Sequence, residues 1–337
     1  MNQSLSVLFC ALFLTLLGCS KPTSTTAPIV SQVIKIDGSS TVYPITEAVA
    51  EEFQKESGTK VTVGISGTGG GFKKFTRGET DVQNASRPIK EEEVKAAKEG
   101  KIEYLELPIA YDALTVVVNS KNDWVDSIKI SDLKKIWEPE AQGKITKWNQ
   151  VRPEWPDKEI KLYGAGSDSG TFDYFTEAVN EKSKASRGDY TASEDANVLV
   201  QGVEGDRYAL GYMGYSYYAA HQKRLKALGI EWDAKGKPAV KPSEEAVLAG
   251  TYNPLARPLF IYVNAKSLEK PEVKRFVEFY LKHVDRLAKE VKYIPLPGDA
   301  YGKIKTRFEK GEKGTAFLHQ SDLAVPISEI LSRTPVP

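Results

Sequence analysis

Short apolar runs and amphipathic stretches alternate along the chain from Val33 onward. Val33, Ile34 and Ile36 form a β-favouring run that Asp37-Gly38 interrupts. Ile45, Ala48, Val49 and Phe53 then recur at helical spacing behind Pro44, whose missing N–H costs nothing in a first helical turn. The same order repeats twice. Lys60 to Ile65 is a strand that leads to a helix start at Phe72-Lys-Lys-Phe75, and Ile160 to Tyr163 is a strand that leads to one at Phe172-Asp-Tyr-Phe175. Ala113 to Val118 and Pro258 to Val263 are continuous apolar runs, as expected for strands covered on both faces. Lys270 to Val291 is a long amphipathic helix with Val273, Phe276, Val277, Tyr280, Leu281 and Val284 on one face. Between these lie a charged helix from Glu91 to Glu99 and a helix opening at Ser131, with that serine as its cap. A surface loop is expected from Thr146 to Pro156, a helix from Glu194 to Val203, a strand at Ala209 to Tyr212 and a helix from Tyr217 to Leu228. Such alternation predicts an α/β fold with mostly parallel sheets.

The length of 337 residues bounds one large or two medium domains, and 41% hydrophobic with 27% charged residues fits a globular chain. A net charge of +1 leaves no broad basic face for nucleic acid. Leu5 to Leu17 is apolar apart from Ser6, Cys10 and Thr15, too short to span a bilayer and matching a secretory h-region, although Met1 to Ser4 holds no Lys or Arg. It ends in Leu16-Leu17-Gly18-Cys19, which resembles the bacterial lipobox and implies cleavage before Cys19 and lipidation there. Ser20 to Gln32, rich in Ser, Thr and Pro, is a flexible tether. With Cys10 in the leader and Cys19 as anchor, no disulfide and no zinc cluster is expected.

The three strand-to-helix junctions carry the candidate chemistry. They hold Ser39-Ser-Thr41, Ser66-Gly-Thr-Gly-Gly-Gly71 and Gly164-Ala-Gly-Ser-Asp-Ser-Gly-Thr171. Free N–H groups and hydroxyls at helix starts suit an anion, and glycines let the chain approach it closely. The plainer role for each is a polar turn with an N-cap residue. A P-loop does not fit, because Phe72 stands five residues after Gly67 and Lys73 is followed by Lys74 rather than Ser or Thr. A dinucleotide fingerprint would need glycine at Phe72. No Gly-x-Ser-x-Gly surrounds Ser39, Ser66, Ser167 or Ser169, which argues against a serine hydrolase. His221 and His283 sit on charged helices and His319 in a partly buried stretch, and no dense metal-ligating cluster is present. Neither a catalytic residue, nor a metal, nor a cofactor is expected.

Asp37-Gly-Ser-Ser-Thr-Val-Tyr-Pro44, Ser66-Gly-Thr-Gly-Gly-Gly71, Asn84-Ala-Ser-Arg-Pro-Ile89 and Ser167-Asp-Ser-Gly-Thr-Phe172 together resemble the phosphate-binding proteins of bacterial phosphate-specific ABC transporters. The resemblance runs from Ile34 to about Pro297. It implies a periplasmic binding protein of the second topological type: two α/β lobes, a two-segment hinge, and phosphate trapped between the lobes. The implied divisions are a signal peptide (1–18), lipidated Cys and tether (19–32), lobe 1 (33–110 and 258–337) and lobe 2 (111–257). Implied phosphate ligands are Ser39, Ser40, Thr41, Ser66, Gly67, Thr68, Gly69, Ser86, Arg87, Ser167, Asp168, Ser169, Gly170 and Thr171. Implied partners are inorganic phosphate, the permease subunits of an ABC transporter, and a membrane reached through the lipid anchor, for a monomeric, extracytoplasmic lipoprotein. Receptors for sulfate, molybdate or a phosphonate are the alternative.

Two departures from the family pattern bear on selectivity. Well-known members carry an Asp directly after the Ser of the third motif, where it accepts a hydrogen bond from phosphate's own proton; here Arg87 stands there. They also carry an Arg four residues before the Ser of Ser-Gly-Thr, where this chain has Ala165. The cation is therefore expected at Arg87, held extended by Pro88, with a structural ion pair as its competing role. Asp168 is the nearest replacement acceptor, competing with a helix N-cap role, and Asp112 is further off.

Overall fold

The computed structural model describes residues 33–167, 169–193, 195–317 and 325–337. The leader, the tether with Cys19, Asp168 and His319 lie outside the described residues. The first half of the chain gives β1 (Ile34–Gly38), α1 (Tyr43–Ser57), β2 (Val61–Val63), α2 (Gly67–Phe75), β3 (Val82–Ala85), α3 (Glu91–Glu99) and β4 (Tyr104–Asn119). Then come β5 (Ser127–Lys129), α4 (Ile130–Trp137), α5 (Trp148–Val151), β6 (Lys161–Ala165), α6 (Gly170–Asn180), β7 (Thr191–Ser193) and α7 (Ala196–Gly205). They are followed by β8 (Ala209–Gly214), α8 (Tyr215–Ala220), β9 (Leu225–Ala227), β10 (Gly229–Trp232), β11 (Lys237–Val240) and α9 (Glu244–Leu248). The chain closes with β12 (Ala256–Asn264), α10 (Pro271–Glu290), β13 (Ile294–Pro295), α11 (Gly298–Lys310) and α12 (Ile327–Ile330).

One long sheet runs β2-β1-β3-β12-β4-β8-β6-β7, with β13 and β9 also on β4. The β1–β2, β1–β3, β6–β7 and β6–β8 pairs are parallel, as the strand–helix alternation predicts. The middle is different. β12 is antiparallel to both β3 and β4, and β4 is antiparallel to β8. The cause is topological, because β4 leaves one lobe for the other and β12 brings the chain back beside it. β4 is 16 residues long and buried throughout; its first part pairs with β12 and its second part with β8. Arg257 of β12 stands directly opposite Asp112 of β4. A small second sheet, β11-β10-β5, lies apart.

Helix packing fills the space around the parallel strands. α1 lies on α10, where Phe53 meets Phe276 edge-to-face at 5.3 Å and Phe279 at 5.4 Å. In the other lobe Phe175 stacks on Tyr212 at 3.7 Å, and Trp137 meets both rings edge-on. Burial and ring geometry of this kind dominate core energetics.

Several local expectations change. The Thr146–Pro156 stretch is not simply surface, because Trp148 is fully buried in α5 and its indole N–H donates to the Tyr208 carbonyl at 3.0 Å. A helix from Tyr217 to Leu228 does not form. α8 ends at Ala220, and Leu225-Lys-Ala227 follows as β9 on β4, with Leu225 and Ala227 inward and Lys226 half-exposed in a period of two. Ser131 is inside α4 rather than capping it; Asp132 instead accepts from the backbone N–H of Lys129 at 3.1 Å.

Phe276→Ala, at the centre of the α1–α10 contact, is expected to cost about 3–5 kcal/mol, whereas Lys274→Ala on the exposed face should stay within about 0.5 kcal/mol. The difference is measured as a lowered urea midpoint for the first variant and an unmoved one for the second.

Candidate functional site

The first junction folds back on itself. Gly38 takes φ +134°, a backbone conformation that favours glycine, and the Ser39 N–H donates to the Asn84 carbonyl at 3.0 Å. Ser39 Oγ accepts from the Thr41 N–H at 3.2 Å, so the buried Ser39 is spent inside the turn while Ser40 stays half-exposed. Thr41 is buried, and its Oγ1 accepts from Nη2 of Arg257 at 3.2 Å.

At the second junction Ser66 precedes α2 and its hydroxyl donates to Asp37 Oδ1 at 2.5 Å. The Lys74 ammonium reaches Asp37 Oδ2 at 2.5 Å. Burial works to raise the Asp37 carboxyl, but the hydrogen bonds from Lys74 and Ser66 outweigh it and hold the group below its ordinary range. Ser66 is thereby oriented by Asp37. Gly67, at φ +72°, starts the helix, whose first-turn amides have no partner in the helix itself. Thr68 and Ser86 share a hydroxyl–hydroxyl bond of 3.0 Å, and the Ser86 N–H donates to Thr68 Oγ1 at 3.2 Å, which joins the second junction to the Ser-Arg-Pro turn.

Arg87 is engaged elsewhere. Its guanidinium closes a two-pronged pair with Glu93 of α3, at 2.8 Å on each prong, and also donates to the Pro88 carbonyl. Burial works to lower its pKa, but the Glu93 pair outweighs that and raises it. The ion-pair role weighed for this residue is the one the structure displays, while Nη2 still lies 3.9 Å from where a Cβ on Gly69 would sit.

At the third junction Ser169 caps α6 and accepts from the Thr171 N–H at 3.1 Å. Ser167 is exposed to solvent. Gly170 is packed so tightly on Thr41 that a Cβ there would overlap Thr41 Oγ1 and its backbone nitrogen. The first and third junctions, 130 residues apart in sequence, therefore meet across the lobes.

The cation at this meeting point is Arg257, the last residue of the expected lobe 2 (111–257) and not one of the expected phosphate ligands. Its side chain is 5% exposed, lies 3.5 Å above the Tyr174 ring, and sits 3.7 Å from both Asp112 Oδ2 and Glu177 Oε2. Its Nε has no partner. Glu177 of α6 also lies within electrostatic reach of Arg87. A guanidinium with loose partners and an idle donor inside a protein has room to take an anion as a further partner. The signal for it was present: an arginine inside the apolar run Leu255 to Val263 is a charge in a strand buried on both faces. Beside this point lies a cavity of about 280 Å³ that Ser169, Thr171, Asp112 and Tyr293 help to line.

Residues 22–283 match the model of the PBP superfamily domain. Protein SphX of Synechocystis sp. is 51% identical over 305 residues, covering 90% of each chain. Phosphate-binding protein PstS of Staphylococcus saprophyticus is 40% identical over 280 residues, covering 82% of this chain and 84% of that one. The crystal structure of "a possible phosphate binding protein from Planctomyces limnophilus DSM 3776" superposes with a TM-score of 0.80 at 47% identity, over 83% of this chain and 98% of that one. The chain therefore belongs to the PBP superfamily and is related to SphX and the phosphate-binding protein PstS.

Proposed function

We propose that this protein binds inorganic phosphate between its lobes and delivers it to the permease of an ABC transporter. The observation that carries the proposal is the meeting of Thr41, Gly170 and the buried, under-partnered Arg257 at one point. Neutral hydroxyls, backbone N–H groups and one guanidinium are the donor set that a buried oxyanion requires, since a desolvated charge must be fully hydrogen-bonded. The names of the relatives supply the particular anion. Lobe 1 offers Ser40, Thr41 and the turn from Ser66 through Gly67, Thr68 and Gly69, with Ser86. Lobe 2 offers Ser169, Gly170 and Thr171. Arg87, fixed by Glu93, positions the Ser86 turn against the start of α2, and Arg257 supplies the charge.

Binding works by closure. Phosphate enters the open cleft, the first lobe holds it, and the second lobe adds contacts that exist only in the closed state, so the anion shifts the population toward it. No bond in the anion is made or broken, and the protein acts as a receptor rather than an enzyme. The lobes divide near residues 110 and 257, where β4 and β12 cross together. Lipidation at Cys19 tethers the receptor outside the cytoplasm, close to its permease.

Isothermal titration of ligand-stripped protein with phosphate is expected to give tight one-to-one binding; no heat with phosphate, alongside binding of molybdate or a phosphonate, would replace the anion. Arg257→Ala should weaken phosphate by about 100-fold or more, because charge-assisted bonds are lost inside the protein, while Arg87→Ala should weaken it by about tenfold or less. The opposite ranking returns the charge to Arg87. Cys19→Ser should move the protein from the membrane fraction to the soluble extracytoplasmic fraction, as read by immunoblot.

A further inference from the structure

We propose that Tyr174 is a positioning residue for the anion site: its ring holds the Arg257 guanidinium by the face and fixes it to α6, which leaves the donors at the guanidinium's edge for the ligand. The proposal rests on the phosphate reading above. An arginine can be held in two ways. A carboxylate holds it by the edge and occupies the N–H groups that an anion would need, as Glu93 does with Arg87 at 2.8 Å on each prong. An aromatic ring holds it by the face and occupies none of them.

Arg257 is held in the second way. Its central guanidinium carbon lies 3.5 Å from the centre of the Tyr174 ring. At that separation the planar group lies nearly flat on the ring, because a steep tilt would drive a nitrogen into the ring carbons. The carboxylates of Asp112 and Glu177 stand 3.7 Å away, beyond hydrogen-bond distance, and Thr41 Oγ1 takes one N–H at 3.2 Å. The ring therefore sets the plane of the group. Arg87 is the contrast, since the Phe72 ring is 5.7 Å from its guanidinium and the Glu93 fork fixes it instead. Tyr174 is itself anchored at both ends. It is buried on α6, and its hydroxyl donates at 2.7 Å to the carbonyl of Pro254, three residues before Arg257. Gly170, Tyr174 and Glu177 recur at spacings of four and three and share one face of that helix. Gly170 packs on Thr41, and Tyr174 packs on Arg257, which itself donates to Thr41. The ring thus joins the charge on β12 to the helix that begins with Ser169, Gly170 and Thr171, so charge and lobe 2 donors meet the anion as one body.

The test is calorimetric titration of the ligand-stripped protein with inorganic phosphate. Tyr174→Leu removes the ring and should weaken binding by about tenfold or more. Tyr174→Phe keeps the ring, loses only the bond to Pro254, and should recover binding to within about threefold of wild type. In an Arg257→Ala background Tyr174→Leu should cost no more than about twofold, because the ring acts through the guanidinium; a ring that only supported the fold would cost the same with or without Arg257. Pentafluorophenylalanine in place of Tyr174 keeps a ring of similar size but inverts its charge distribution, and should bind about fivefold or more weakly than Tyr174→Phe. This last comparison stands even where the leucine variant fails to fold, which far-ultraviolet circular dichroism reports. A folded Tyr174→Leu protein with wild-type affinity overturns the proposal. So does an equal loss in both backgrounds, and so does a fluorinated ring that binds as well as phenylalanine. Wild type that takes up no phosphate overturns the phosphate reading and this role with it, whereas wild-type binding that the variants leave unmoved overturns the role alone.

Discussion

A buried arginine with incomplete pairing is the constraint around which the structure is arranged. Arg257 lies on one of the two strands that join the lobes and faces Asp112 on the other. It reaches Thr41 in the first junction and Glu177 on the helix of the third. A desolvated guanidinium is unfavourable by itself, and partners at 3.7 Å are too distant to satisfy its donors. The fold supports that cost with the extensive apolar burial of β4 and β12, both covered along their whole length. An anion at the proposed site would complete that pairing, and occupancy and lobe closure would then favour one another.

The junctions divide their labour in a way residue types alone do not reveal. Ser39, Ser66 and Ser169 all precede helices, yet each spends its hydroxyl locally: on the Thr41 amide, on Asp37, and on the Thr171 amide. Their bonds hold the turns that lead into the helices. Asp37 does the same for the glycine-rich turn, with Lys74 fixing the carboxylate from α2. Backbone donors at such turns would lose less freedom on binding an anion than flexible side chains.

Much of the architecture was legible because periodicity is a local property. The strands near Ile34, Val61 and Lys161, the long α10 and the helix starts after each polar turn all follow from spacing. The buried α5 was not legible, since nothing in Trp148 and its neighbours tells that Tyr208, 60 residues later, offers a carbonyl to the indole. Nor was the end of α8, where pairing with β4 overrides an amphipathic pattern. The site divides likewise. Thr41 and Gly170 were visible as motif members, whereas Arg257, a charge inside an apolar run, and Asp112, a distant acceptor candidate, belong to no motif, and strand register is what sets them opposite each other. Arg87 shows the converse. Its place in a motif pointed to the anion, but Glu93, six residues on, turns its fork toward α3.

The position of β12 has a consequence for how the chain reaches its final form. β12 lies between β3 and β4 in the sheet, although about 140 residues separate it in sequence from the end of β4. The N-terminal strands cannot complete their pairing until that late segment arrives, and ordering over such a separation is slow. During synthesis the first hundred residues therefore lack a central strand of their own sheet. A chain kept incomplete in this way closes its sheet only when one late strand pairs with β3 on one side and β4 on the other.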